Sequence, residues 1–241
     1  MRPPEERAIS ELAAARAEVL ERMAAACLHS GRAADTAALV AISKTVSVER
    51  LRLAQAAGHD QLGENRVQEA AAKIPLLAPA TWHLVGHLQK NKAARAVELF
   101  DVIESVDSAA LAVRLDRLVG EQGSRQGDSL SVYLQVNVDA DPAKAGFAPG
   151  GIERELGAIL ALPNLEVCGL MTVGRLAGDP GEARPPFARL RELSERLRAA
   201  DPRLGTGLSM GMSDDYEVAI EEGSTLVRVG RALFGERPVP A

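Results

Sequence analysis

Aromatic residues are scarce in this chain: one Trp, two Tyr and four Phe among 241 residues. With 46% of residues still hydrophobic, the core must be filled mostly by Ala, Leu and Val. Cysteine is rarer still, and Cys27 and Cys168 are far apart with no C-x-x-C spacing. That excludes a disulfide framework and a cysteine-bound zinc site. An excess of positive charge is also missing: the formal net charge is -5, which argues against a nucleic-acid footprint. No apolar run approaches the roughly 18 residues of a membrane span, and the opening MRPPEER lacks the apolar core of a signal peptide. The expectation is a cytoplasmic globular protein with no membrane or nucleic-acid partner.

Two further absences remove rival chemistries. Residues 207–211 read Gly-Leu-Ser-Met-Gly, a match to the G-x-S-x-G nucleophile elbow. A triad on that elbow needs an acid and then a histidine downstream, and no histidine follows His87. His83 and His87 are four apart on an expected strand, 82–88, and so would share a face. That is not the helical spacing that brings two histidines to one zinc ion, so both are expected to pack or hydrogen-bond.

What is present is a repeating two-beat pattern. A length of 241 residues suits a single domain that buries roughly 70–75% of its unfolded surface. Helix is expected over 5–27, with Ile9, Leu12, Ala13, Leu20, Met23 and Cys27 on one face. Strands are then expected at 39–42, 59–65, 82–88, 102–106, 132–138, 167–173, 207–212 and 226–229. Helices fill the intervals at 48–57, 67–77, 90–100, 108–122, 152–162, 187–200 and 213–222, and the Gly/Pro-rich 174–186 reads as a mobile loop. Alternating strands and helices imply a parallel sheet. Eight repeats in this length fit a (β/α)8 barrel, with residues 1–30 as an extra flanking N-terminal helix and 236–241 as a tail.

The barrel reading directs attention to the carboxyl ends of the strands, where ligands sit in such folds. The first strand, LVAI, ends abruptly at Ser43-Lys44-Thr45. A lysine there can present a partly desolvated amine with a lowered pKa. Such an amine suits Schiff-base chemistry with an aldehyde, above all pyridoxal phosphate (PLP); the bland alternative is a lysine that snorkels to water. The loops after strands seven and eight frequently form a phosphate site in barrels. Ser213 offers a hydroxyl there and Gly230 an approachable backbone, although Ser213 is equally suited to cap a helix with Asp214 and Asp215 in its first turn. Arg228 is a charge inside an apolar strand and needs a buried partner, the cofactor being one candidate. Asn65, in Gly63-Glu64-Asn65, falls on the same barrel face.

In order, LVAISKT, GENRVQEA, WHLVGHLQKNKA, LQVN with KAGF, GLMTVG and LSMGMSDDYEVAIEEGSTLVRVGRALFG span 39–235. Together they resemble the YggS/PROSC family of PLP-binding homeostasis proteins. The resemblance implies a barrel similar to the N-terminal domain of alanine racemases, with Lys44 as the Schiff-base lysine. It further implies Ser209, Ser213, Gly230 and Arg231 around the phosphate, the last two through their backbone. Arg228 would face the pyridine nitrogen and weaken PLP as an electron sink, and Asn65 would lie near the cofactor. Racemases of this type add a β-domain whose tyrosine is the second acid/base, and no such domain is expected within 1–241. The resemblance therefore implies a monomer that holds PLP in vitamin B6 and amino-acid homeostasis, with apo PLP-dependent enzymes as recipients and no catalytic turnover. A weak racemase-like enzyme is the alternative.

Overall fold

Eight short parallel strands close on themselves in sequence order, β1 through β8, with β8 returning to pair with β1. The computed structural model describes residues 3–122, 129–174 and 180–235. The strands are β1 (Ala38–Ile42), β2 (Gln61–Glu64), β3 (Thr81–Leu84), β4 (Val102–Val106), β5 (Leu130–Gln135), β6 (Leu165–Met171), β7 (Gly207–Ser209) and β8 (Leu226–Val229). The helices are α1 (Pro4–His29), α2 (Val48–Ala56), α3 (Val67–Lys73), α4 (Ala93–Leu99), α5 (Ala109–Gln122), α6 (Pro149–Ile159), α7 (Pro180–Ala200), α8 (Tyr216–Glu221) and α9 (Arg231–Phe234). The (β/α)8 barrel read from the alternation is the fold observed. No described helix is long and apolar enough to cross a membrane.

Helix α1 flanks the barrel by packing on α2, α8 and α9. Its buried stripe is Leu12, Val19, Met23, Ala26 and Cys27, while Ala13 faces solvent. Arg22 ties it to α8, donating to Glu217 at 2.7 Å and lying 5.4 Å above the Tyr216 ring.

Most of the core lies between barrel and helices, where outward strand residues such as Ala41, Leu62, Leu84 and Ile103 meet the helices' apolar faces. Inside, the pleat brings in alternate residues. A Cβ at Gly63 would lie 2.7 Å from Ile42 Cδ1 and 2.9 Å from Val40 Cγ1, so this glycine makes room for their inward side chains. Val40, Ile42 and Leu226, with Val85 packed on them, form a small apolar plug. The interior also holds a polar layer: His83, Glu104, Ser209 and Arg228 are all buried.

Several boundaries shift by a few residues from expectation, and the following differ for a clear local reason. Strand β3 stops at Leu84, before His87. A side chain on Gly86 would stand 2.2 Å from the Asn65 carbonyl oxygen, so the chain passes through a close approach there and leaves the sheet. The two histidines thus share no strand face: His83 is buried, whereas His87 is exposed and sits 2.9 Å from Asp107. Helix α7 begins at Pro180 although a loop was expected to 186; residues 175–179 of that loop lie outside the described residues. Buried Ala183, Phe187 and Leu190 at helical spacing override Pro185 and Pro186. Strand β7 ends at Ser209 and α8 starts only at Tyr216, because Asp215 accepts the Met212 N–H at 2.6 Å and holds 212–215 as a turn.

Candidate functional site

The inward alternation of β1, Val40 and then Ile42, carries Lys44 to the carboxyl-end mouth of the barrel. Val46 N–H returns to the Ser43 carbonyl at 3.0 Å, so Lys44 and Thr45 occupy a tight turn. Thr45 has φ +66°, a conformation that costs a β-branched residue roughly 1–2 kcal/mol. Ser43 is anchored on every side. Its N–H donates to the Gly63 carbonyl at 2.8 Å, its Oγ donates to Glu64 at 2.7 Å, and its carbonyl accepts from Lys73 Nζ at 2.9 Å.

Lys44 lines a cavity of about 590 Å³ at the mouth. Asn65, Val85, Met212, Ser213, Arg228, Gly230 and Arg231 line it too, joined by Asp141, Lys144 and Asp214 from the surrounding loops. Of the charged residues on this wall, Lys44, Lys144, Arg228 and Arg231 are cations, against Asp141 and Asp214. An anionic ligand of small-molecule size suits both the volume and the charge. On the other side of Lys44, a second hollow of about 450 Å³ runs between the β1–α2 turn and α9.

The phosphate-type loops arrange themselves around one another. Ser213 Oγ accepts the Gly230 N–H at 3.2 Å, joining the loops after β7 and β8. Ser213 is therefore not the cap of α8; the position before that helix is Asp215. Arg231 pairs with Asp214 at the same rim. Burial raises the Asp215 carboxyl pKa, with the Met212 N–H and the Arg228 charge pulling the other way.

Beneath the cavity, Arg228 is only 4% exposed. Its Nη1 donates to Ser209 Oγ and its Nη2 to the Thr172 carbonyl at 2.8 Å, with Glu104 Oε2 3.7 Å away. Ser209 Oγ donates onward to Glu104 Oε2 at 2.5 Å, and His83 Nδ1 meets Glu104 Oε1 at 2.7 Å. Burial lowers the Arg228 pKa, opposed by the Glu104 and Asp215 charges. Burial would raise the Glu104 pKa, but the hydrogen bond and charge of His83, then Arg228 and Ser209, hold it below the ordinary range.

The profile of the alanine racemase N-terminal domain family matches residues 20–238. The pyridoxal phosphate homeostasis protein of Pseudomonas aeruginosa is 42% identical over 224 residues, spanning 92% of this chain and 94% of that protein. That of Aquifex aeolicus is 39% identical over 221 residues, 91% of this chain and 95% of its own. The chain belongs to the family of pyridoxal phosphate homeostasis proteins. Among solved structures, PipY of Synechococcus elongatus with PLP bound is 43% identical, with a TM-score of 0.77 over 90% of this chain and 100% of its own. Alanine racemase from Corynebacterium glutamicum, 18% identical with a TM-score of 0.70 over 96% of this chain and 62% of its own, shares the fold.

Within this family member, six of the seven site residues singled out in the sequence line one cavity: Lys44, Asn65, Ser213, Arg228, Gly230 and Arg231. Ser209 lies deeper, fully buried, where it reaches Arg228 and Glu104. The partner demanded by the buried charge of Arg228 is thus present within the protein. Glu104 and the Glu64–Lys73 pair were missed. Glu104 had the same signal as Arg228, a charge inside an apolar strand, Val-Ile-Glu-Ser-Val. Lys144, noted only as part of KAGF, joins the cavity wall and donates to the Val173 carbonyl at 3.0 Å.

Proposed function

We propose that this chain holds PLP on Lys44 in the cytoplasm and serves PLP homeostasis, passing the cofactor to apo-enzymes, without catalytic turnover. The observation that carries this reading is the convergence on one cavity of an amine, Lys44, a phosphate-type rim, Ser213 with Gly230 and Arg231, and a buried guanidinium, Arg228. The set matches the three chemical ends of PLP: an aldehyde, a phosphate and a pyridine nitrogen. When bound, the cofactor supplies an aldehyde that condenses with a primary amine and a ring that draws electrons from it.

The residues divide that work. Lys44 provides the amine from a turn fixed by Ser43. Ser213, Gly230 and Arg231 would hold the phosphate, the last two through their backbone, and Asn65 would line the same cavity as Lys44. Arg228 would face the ring nitrogen; a guanidinium keeps its protons in proteins, so that nitrogen would stay unprotonated and the ring a weak electron sink.

Both tyrosines are committed elsewhere, which favours a holder over a racemase. Tyr133 is buried inside the barrel against Gly207, and burial raises its pKa further from any acid/base role near neutrality. Tyr216 is buried beneath α1 under Arg22. The deciding experiment incubates PLP-loaded protein with L-alanine in D2O and, separately, with an apo-aminotransferase. Activation of the aminotransferase without deuterium entering the alanine α position is expected. Rapid α-exchange on the time scale of a racemase would overturn the reading.

A further inference from the structure

Two opposite buried charges are often no more stabilising than apolar residues of the same volume. Yet β4, β7 and β8 each contribute one member of a continuous chain of contacts, Glu104, Ser209 and Arg228, none of them neighbours in sequence.

We propose that Glu104, acting through Ser209, is a positioning residue that fixes the Arg228 guanidinium below the cavity and thereby sets how tightly PLP is held. The inference rests on the PLP reading above. A serine hydroxyl has one proton and two lone pairs. Here the proton is spent on Glu104 Oε2, so a lone pair must face Arg228 Nη1. Glu104 Oε1 is engaged by His83, so the carboxylate cannot rotate away without losing a second bond. At the other side of the fork, the Thr172 carbonyl takes Nη2, and Thr172 Oγ1 is itself tied to the Val136 carbonyl at 2.8 Å. Arg228 is held by acceptors on both flanks, and its planar fork then has one orientation towards the cavity.

The test is a double-mutant cycle read by absorbance titration with PLP, by the band maximum of the bound chromophore, and by thermal unfolding of the PLP-free proteins. Ser209→Ala, Glu104→Gln, Arg228→Met and the Ser209→Ala/Arg228→Met double variant are compared with wild type. Ser209→Ala removes one hydroxyl and keeps the fold even if Glu104→Gln does not. Ser209→Ala is expected to weaken PLP about tenfold, the size of one charge-assisted hydrogen bond. It should shift the band in the same direction as Arg228→Met. In the Arg228→Met background it should change neither affinity nor band. Losses that add in the double variant, or folded single variants with wild-type affinity and band, overturn the inference while leaving PLP binding intact. A wild-type protein that takes up no PLP overturns the underlying reading and this inference with it.

Discussion

Lys73 Nζ stands 2.9 Å from the carbonyl oxygen of Ser43, the residue directly before Lys44. The same ammonium lies 2.7 Å from Glu64 Oε1, and the Glu64 side chain has no exposed surface. One ion pair between β2 and α3 therefore also fixes the turn that presents the candidate reactive amine. Truncating the cation leaves a buried carboxylate uncompensated, which typically costs about 3–5 kcal/mol. Lys73→Met is expected to lose that much in urea unfolding, and adding Glu64→Leu should return part of it. A Lys73→Met protein with wild-type stability would show that the pair is not structural.

Gly86 offers a test of the site's geometry. A methyl group at this position would meet the Asn65 backbone at 2.2 Å, and backbone cannot yield as a flexible side chain can. Gly86→Ala must push Asn65 out of the cavity wall. The expected outcome is weaker PLP binding in titration, together with a loss of about 1–3 kcal/mol, the usual penalty for overpacking. Unchanged binding in Gly86→Ala would remove Asn65 from the site.

His59 predicts an acid limb in stability. It is 4% exposed, packed 5.9 Å from the Phe234 ring, and its Nε2 has no hydrogen-bond partner. Burial lowers its pKa, helped by Arg16 and opposed by the Leu12 backbone and Asp60. The unfolded chain then binds a proton near pH 6.5 while the folded chain still excludes it. Stability from this group is complete above about pH 6.5 and drains away as pH falls through the lower folded value. Melting midpoints should drop as pH falls below about 6.5 in wild type, and less in His59→Leu. Parallel profiles for the two proteins would exclude His59 as the source.

Much of the fold was legible because the helical and strand periods survive intact. The Leu39-Val40-Ala41-Ile42 run and the spacing of Leu111, Leu115 and Leu118 depend on local pattern alone. What could not be read was decided by contacts across the barrel. His87 leaves its strand because Gly86 meets Asn65, on the neighbouring strand's loop. The prolines of α7 are tolerated because buried Phe187 and Leu190 hold the helix in place. Lys44 and Arg228 stood out as charges at the end of, or inside, apolar strands. Glu104 and Glu64 carried the same signal. Glu104 finds Ser209 and Arg228 only through the closed sheet, and Glu64 finds Lys73 at the far end of the helix that follows its strand.

The most direct measurement is borohydride reduction of the PLP-treated protein followed by peptide mass spectrometry, with Lys44→Ala alongside. The expected result is a yellow protein, bleached by borohydride, with one pyridoxyl group on Lys44 and none retained in the variant. A protein that stays colourless with added PLP, or one whose label falls on another lysine while Lys44→Ala is labelled equally, would contradict Lys44 as the cofactor's anchor.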